Sequence, residues 1–131
     1  MTSPSMFEDV AEFHRIILDA EQPSSPTLIS QDFVLERGRF LQEELDEFLT
    51  DGLSGSIVGV SDALADIIYV ALGTAYQMGL PFDEIWRAVQ RANMRKKRGI
   101  TKRGNAIDAI KPEGWTGPES EIATAILGAI R

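Results

Sequence analysis

The chain has no cysteine, which excludes disulfide scaffolds, thiolate zinc sites and cysteine nucleophiles. Histidine is nearly as scarce. His14 stands alone, so no site needing two imidazoles from one chain can be built, and there is no Ser-His-Asp constellation to argue for. No glycine-rich loop leads into a helix; Gly104-Asn105 reads as a turn, not a phosphate cradle. No charge-free apolar run approaches the ~18–20 residues that span a bilayer. Near the start, Glu8, Asp9 and Glu12 stand where a secretory signal would carry bases. The expectation is therefore a cytoplasmic protein with no membrane partner.

Bases are scarce over residues 1–90, where 16 acids face 4 bases for a charge of −12. Residues 91–131 reverse the balance to +5. Two readings fit this split: solvated faces of different sign, or a site that needs both signs, such as carboxylates holding a metal beside phosphates held by lysine and arginine. The remaining composition is that of a globular protein, 44% hydrophobic and 25% charged over 131 residues. That length predicts one domain with a core of its own, here 1–131, with its main body over 5–98 and a basic loop and last helix over 99–131.

Hydrophobic spacing predicts the elements. Phe7, Val10, Phe13 and Ile17 recur at helical intervals from Ser5, a candidate N-cap, to about Glu21. Gln22-Pro-Ser-Ser-Pro26 then breaks the chain. A second helix is expected from Ser30 to Asp51, with Phe33, Val34, Arg37, Leu41, Leu45 and Phe48 near one stripe and Gly52 as its cap. Ile57 to Met78 carries strand formers, but its length and its alanines and leucines predict a buried, central helix ending at Gly79. A fourth helix starts near Pro81, with Asp83 and Glu84 in its first turn and Arg95 to Arg98 at its end, as the helix dipole prefers. Gly99–Gly117 reads as a basic, turn-rich loop, and a short helix follows from Pro118. The fold class is all-α.

The carboxylates stand out. Residues three or four apart share a helix face, so Glu43 with Glu47, and nearly so Glu44 with Glu47, point one way from the second helix. Asp62 and Asp66 share a face of the apolar third helix. A buried carboxylate is costly unless paired or bound to a metal. A short loop between the two helices would set the acid groups opposite each other, an oxygen-rich cage for Mg2+ or Mn2+. The alternatives are a solvated face for the glutamates and pairing of the aspartates with Arg37, Arg39 or Arg87.

Three segments in order, Arg39-Phe-Leu-Gln-Glu43-Glu44-Leu-Asp-Glu47, Asp62-Ala-Leu-Ala-Asp66-Ile-Ile-Tyr-Val and Val89-Gln-Arg-Ala-Asn93-Met-Arg-Lys96, resemble the all-α nucleoside triphosphate pyrophosphatases. That superfamily includes MazG-type enzymes, dimeric dUTPases and phosphoribosyl-ATP pyrophosphohydrolase. The resemblance spans about residues 7–115, with an opening Glu12-Phe13-His14 and a closing Lys111-Pro-Glu-Gly-Trp115 similar to small MazG-like members. It implies a MazG-like four-helix bundle completed by oligomerisation as a homodimer or tetramer. It implies cleavage of a (d)NTP between the α and β phosphates to (d)NMP and pyrophosphate, with Mg2+ and with Mn2+ able to substitute.

Carried over residue by residue, the resemblance implies Glu44 and Glu47 as metal ligands and Glu43 as the base that activates water. Asp66 matches the aspartate of the family's Glu-x-x-Asp. The glutamate of that motif falls on Ala63, and Asp62 is the nearest substitute ligand. Asn93 and Lys96 match residues that contact sugar and phosphates. Arg95 and Lys111 are further candidates for the β and γ phosphates, among Arg91, Lys97, Lys102 and Arg103, and His14 for the base or sugar. A purine deoxynucleotide, dGTP (or GTP) first, is the expected substrate. The alternatives are a dUTP pyrophosphatase and a non-catalytic nucleotide- or metal-binding module. The acidic body argues against nucleic acid as a partner.

Overall fold

The first helix begins where its capping chemistry lies. Ser5 Oγ accepts the Glu8 backbone N–H at 3.0 Å, and helix α1 runs Met6–Ile16. The computed structural model describes residues 2–100, 104 and 108–131. Helix α2 follows as Gln31–Ser54, α3 as Ile57–Gln77, α4 as Phe82–Met94 and α5 as Glu119–Gly128. Strands β1 (Lys97–Gly99) and β2 (Asp108–Ile110) form an antiparallel pair between α4 and α5. The all-α class holds, with this small ribbon added. The chain forms two compact units, one ending at Phe82 and including Arg131, the other running Asp83–Ile130.

In the first unit α2 and α3 form an antiparallel hairpin. Ser30 Oγ caps α2 by accepting the Phe33 N–H, and Ser56 Oγ caps α3 through the Gly59 N–H. Gly55 turns the chain between them at φ +83°, a left-handed conformation that glycine adopts without a Cβ penalty. The expected cap, Gly52, stays inside the helix, one turn short of the true end. Helix α1 lies against α3. The core of this unit is Val10, Ala11, Ala63, Leu72, Ala75 and Tyr76, with one buried polar residue, His14.

Helix α1 stops earlier than its spacing suggested. Beyond Ile16 the chain turns through Asp19 at φ 50°. The Ala20 N–H donates to His14 O, and Ala20 O accepts the Tyr76 hydroxyl at 2.7 Å. A buried tyrosine whose hydroxyl must find a partner thus fixes the loop.

Helix α3 touches both other helices of its unit, yet it is not covered all round. Ala63 and Tyr76 are 1% exposed, whereas Ile57 and Val58 keep more than three-quarters of their surface and Leu64, Ile68 and Tyr69 are also exposed. By length and composition α3 could cross a membrane; Asp62 and Asp66 lie within it.

In the second unit α4 buries Ile85, Ala88 and Ala92, a stripe at helical spacing. Pro81 stands just before the helix rather than inside it. Arg91 meets Glu121 of α5 at 3.1 Å, both partly exposed, so the pair adds little stability. In β1–β2, Lys97 pairs with Ile110 and Gly99 with Asp108. Lys102, Arg103 and Asn105, read above as loop bases and a turn, lie outside the described residues.

Candidate metal centre

The hairpin register builds the site. Arg37 of α2 reaches Val70 and Thr74 of α3, and further along Gly59 of α3 approaches Asp51 of α2. Midway between these crossings, Glu44 stands opposite Asp66, and Glu47 follows one turn on from Glu44. One carboxylate oxygen from each of Glu44, Glu47 and Asp66 lies within 4.8 Å of the other two. Glu44 and Asp66 are half-buried and Glu47 is exposed. Glu44 Oε2 is buried with no hydrogen-bond partner among the described residues.

Burial, first, and then the charges of Glu47 and Asp66, a hydrogen bond with Glu47 and the charge of Asp62 push the Glu44 carboxyl above its usual 4.5. An orphaned oxygen in a trio of repelling carboxylates is what a hard cation satisfies, and an all-oxygen donor set suits Mg2+ or Mn2+. The trio therefore fits a divalent metal.

The other predicted ligand and base stand outside the trio. Asp62 is exposed and acts on Glu44 through its charge. Glu43 is exposed on the same helix. Ala63 is fully buried core, so the position where a glutamate was expected is filled by packing in this chain.

Arg37, named above as a possible partner of the aspartates, binds other groups of α3. Arg37 Nε donates to Thr74 Oγ1 and Nη2 to Val70 O, both at 2.9 Å. Its guanidinium also lies over the Phe40 ring, 5.5 Å from the centroid. His14 lies inside, 4% exposed, its ring 4.8 Å from that of Tyr76. Burial and the Arg37 charge hold the His14 pKa below 6.5, so the imidazole is neutral at neutral pH. The signals were an arginine in the apolar stripe of α2 and a glycine, Gly73, inside an apolar helix.

The predicted phosphate contacts lie in the second unit. Asn93 and Lys96 line a cavity of about 450 Å3 with Lys97, Arg98 and Asp108. Arg95 donates to Thr116 O at 3.4 Å. Lys96 and Lys111 both approach the Trp115 ring.

The family model for phosphoribosyl-ATP pyrophosphohydrolase matches residues 10–93. The chain belongs to this family. No individually curated protein matches it. The phosphoribosyl-ATP pyrophosphohydrolase family is part of the all-α NTP pyrophosphatase superfamily, so the chain is a pyrophosphohydrolase of that group. The matched span runs from within α1 to nearly the end of α4 and contains the whole carboxylate trio.

A pH dependence follows from Glu44. Its raised pKa means that, between 4.5 and the raised value, the folded chain keeps a proton that the unfolded chain releases. Metal-free protein therefore loses stability as pH rises through that interval. His14 has the opposite sign: below 6.5 the unfolded chain takes a proton that the folded chain refuses. Thermal melting of wild type against Glu44→Gln in chelator cancels the histidine. The difference between the two should widen as pH rises, and a difference that is flat in pH would contradict this account of Glu44.

Proposed function

We propose that the protein is a Mg2+-dependent nucleoside triphosphate pyrophosphohydrolase, cleaving a (d)NTP between its α and β phosphates to (d)NMP and pyrophosphate. The observation that carries this reading is the Glu44–Glu47–Asp66 trio with its orphaned buried oxygen, inside a segment of pyrophosphohydrolase family membership. Glu44, Glu47 and Asp66, with Asp62 adjoining, would hold the metal. When bound, a divalent cation neutralises charge on phosphate oxygens and lowers the pKa of a coordinated water. Glu43 takes the proton from the attacking water. Asn93, Lys96, Arg95 and Lys111, from this copy or a second one, bind the sugar and the phosphates that leave. His14 acts through the helix packing around Arg37 rather than by touching substrate.

Oligomerisation belongs to the same reading. Apolar residues of α3 and Leu45, Leu49 and Leu53 of α2 are exposed in the single chain. A second copy, as a homodimer or a paired dimer, would bury them.

A purine deoxynucleotide, dGTP first, is the favoured substrate. A pocket of about 300 Å3 between α1 and α3 is lined by Phe13 and Tyr69, by Asp9 and Glu12, and by Ile16 and Ile17. Tyr69 lies three residues beyond Asp66, on the same side of α3. Aromatic rings suit a base, and carboxylates accept the imino and amino N–H groups of a guanine edge, where uracil offers a single donor. Asp9→Asn with Glu12→Gln should lower kcat/KM for dGTP by about 10-fold with little change for dUTP. Equal losses on both nucleotides would remove the pocket from base selection.

A turnover screen tests the whole reading. Purified protein with Mg2+ or Mn2+ is mixed with each NTP and dNTP, with dUTP and with phosphoribosyl-ATP, the compound for which the family is named. Monophosphate with pyrophosphate is the expected product pair for the triphosphates. Diphosphate with free phosphate would mean the wrong bond, and no product from any of them would favour a binding module.

A further inference from the structure

Lys96, Lys111 and Trp115 lie beyond Asn93, the last residue matched to the family, and the structure brings them together. The pairing of the ribbon ends at Lys97 opposite Ile110; Lys96 precedes the one and Lys111 follows the other. Like charges brought near one another repel. Here both ammonium groups approach one aromatic ring: Lys96 Nζ is 5.2 Å and Lys111 Nζ 5.1 Å from the Trp115 centroid.

The ring is held in turn. Trp115 Nε1 donates to Ala92 O at 2.8 Å, near the end of α4, and its backbone N–H closes a turn to Pro112 O. Trp115 is half-buried, Lys96 is half-buried and Lys111 is exposed. Lys96 also lines the basic cavity with Asn93, Lys97 and Arg98.

We infer that Trp115 is a positioning residue whose ring seats Lys96 and Lys111 as a two-ammonium clamp for a polyphosphate chain. A lysine ammonium has three donors. Contact with the ring leaves N–H groups pointing away from it, available to phosphate oxygens. Long lysine stems lose rotamer freedom when they bind an anion, and seating them beforehand removes part of that loss. Two cations held within 5.2 Å of one ring centroid suit a chain of phosphates better than one phosphate, so the ligand is a di- or triphosphate. The clamp's part in catalysis rests on the pyrophosphohydrolase reading, with the leaving pyrophosphate as its occupant; the anion site itself does not.

Trp86 is 59% exposed and outside this group, so Trp86→Phe leaves Trp115 as the sole indole. Adding inorganic tripolyphosphate without metal to that protein should change Trp115 emission saturably. Inorganic phosphate should do so only at far higher concentration, and Lys96→Met with Lys111→Met should remove the response. In turnover, Trp115→Leu should raise KM for the nucleotide about 10-fold, with the effect on KM rather than kcat. Trp115→Phe, which keeps a ring face, should recover most of the loss.

An emission indifferent to saturating tripolyphosphate overturns the clamp, even in a protein that turns over nucleotide. Equal affinity for phosphate and tripolyphosphate overturns it too, as does a response to duplex DNA alone. A tripolyphosphate response in a protein that hydrolyses nothing supports the clamp and removes the hydrolase reading instead.

Discussion

Glu44→Gln is expected to abolish turnover and, in the same protein, to raise the melting temperature when metal is absent. The two effects have one cause. Glu44 is the carboxylate that the structure burdens most: half-buried, with one oxygen unpartnered and with Glu47, Asp66 and Asp62 all acting to keep it protonated. Glutamine keeps the shape and removes the charge, so the repulsion inside the trio falls and the metal-free fold gains. On the proposed function, the same change takes a ligand from the metal. Loss of an outer partner of a metal ligand already costs about 10–100-fold, so loss of a ligand itself should exceed ~100-fold in kcat/KM. Mg2+ should raise the melting temperature of wild type and leave the variant unmoved. A variant that keeps wild-type turnover, or that melts lower in chelator, would show that Glu44 is not the strained member of a metal site. Sites that store repulsion for function commonly give up stability in this way.

Gly73→Ala should destabilise the protein, against the usual rule. Alanine in place of a helix-interior glycine ordinarily gains ~1 kcal/mol. At Gly73 a Cβ would stand 2.8 Å from His14 Nε2 and 3.1 Å from Arg37 Nη2. Neither neighbour can retreat cheaply. The His14 ring is buried against Tyr76, and Arg37 is fixed by two hydrogen bonds to α3. Overpacking of this kind costs roughly 1–3 kcal/mol, and the melting temperature should drop by about 5–10 °C. Adding His14→Ala to Gly73→Ala should cost less than the two single changes together, because the methyl then has room. A single variant that melts at or above wild type would mean that the three helices have slack at this crossing.

The large elements were legible because each carries its own signal. Ser5 announces the start of α1, and the apolar spacing of α1 and α4 is strong. The carboxylate site was legible for a related reason: acids at spacings of three and four on two consecutive helices meet when a short loop folds one onto the other. Spacing alone could not choose among Glu43, Glu44 and Glu47. That choice depends on the rotation of α2 against α3, which the packing decides. The ribbon was not legible, because strands of three residues in a basic segment have no periodicity to read. Nor was the end of α1, which depends on Tyr76, more than fifty residues away. Arg37 lay in plain view in the stripe of α2, but its partners are a hydroxyl and a carbonyl of α3, and backbone acceptors leave no mark in a sequence.

Asp66 sits immediately before Ile67, the midpoint of a helix otherwise long and apolar enough to cross a membrane. To the machinery that sorts nascent helices, an aspartate at the centre of such a segment costs ~2.5–3.5 kcal/mol of insertion free energy. Asp62, a turn earlier, adds to that cost. The carboxylates proposed to gather a cation therefore also set the partition of this helix between lipid and water. A variant made metal-blind by replacing Asp66 with leucine would also be a better candidate for mistaken insertion, and the two losses would arrive together.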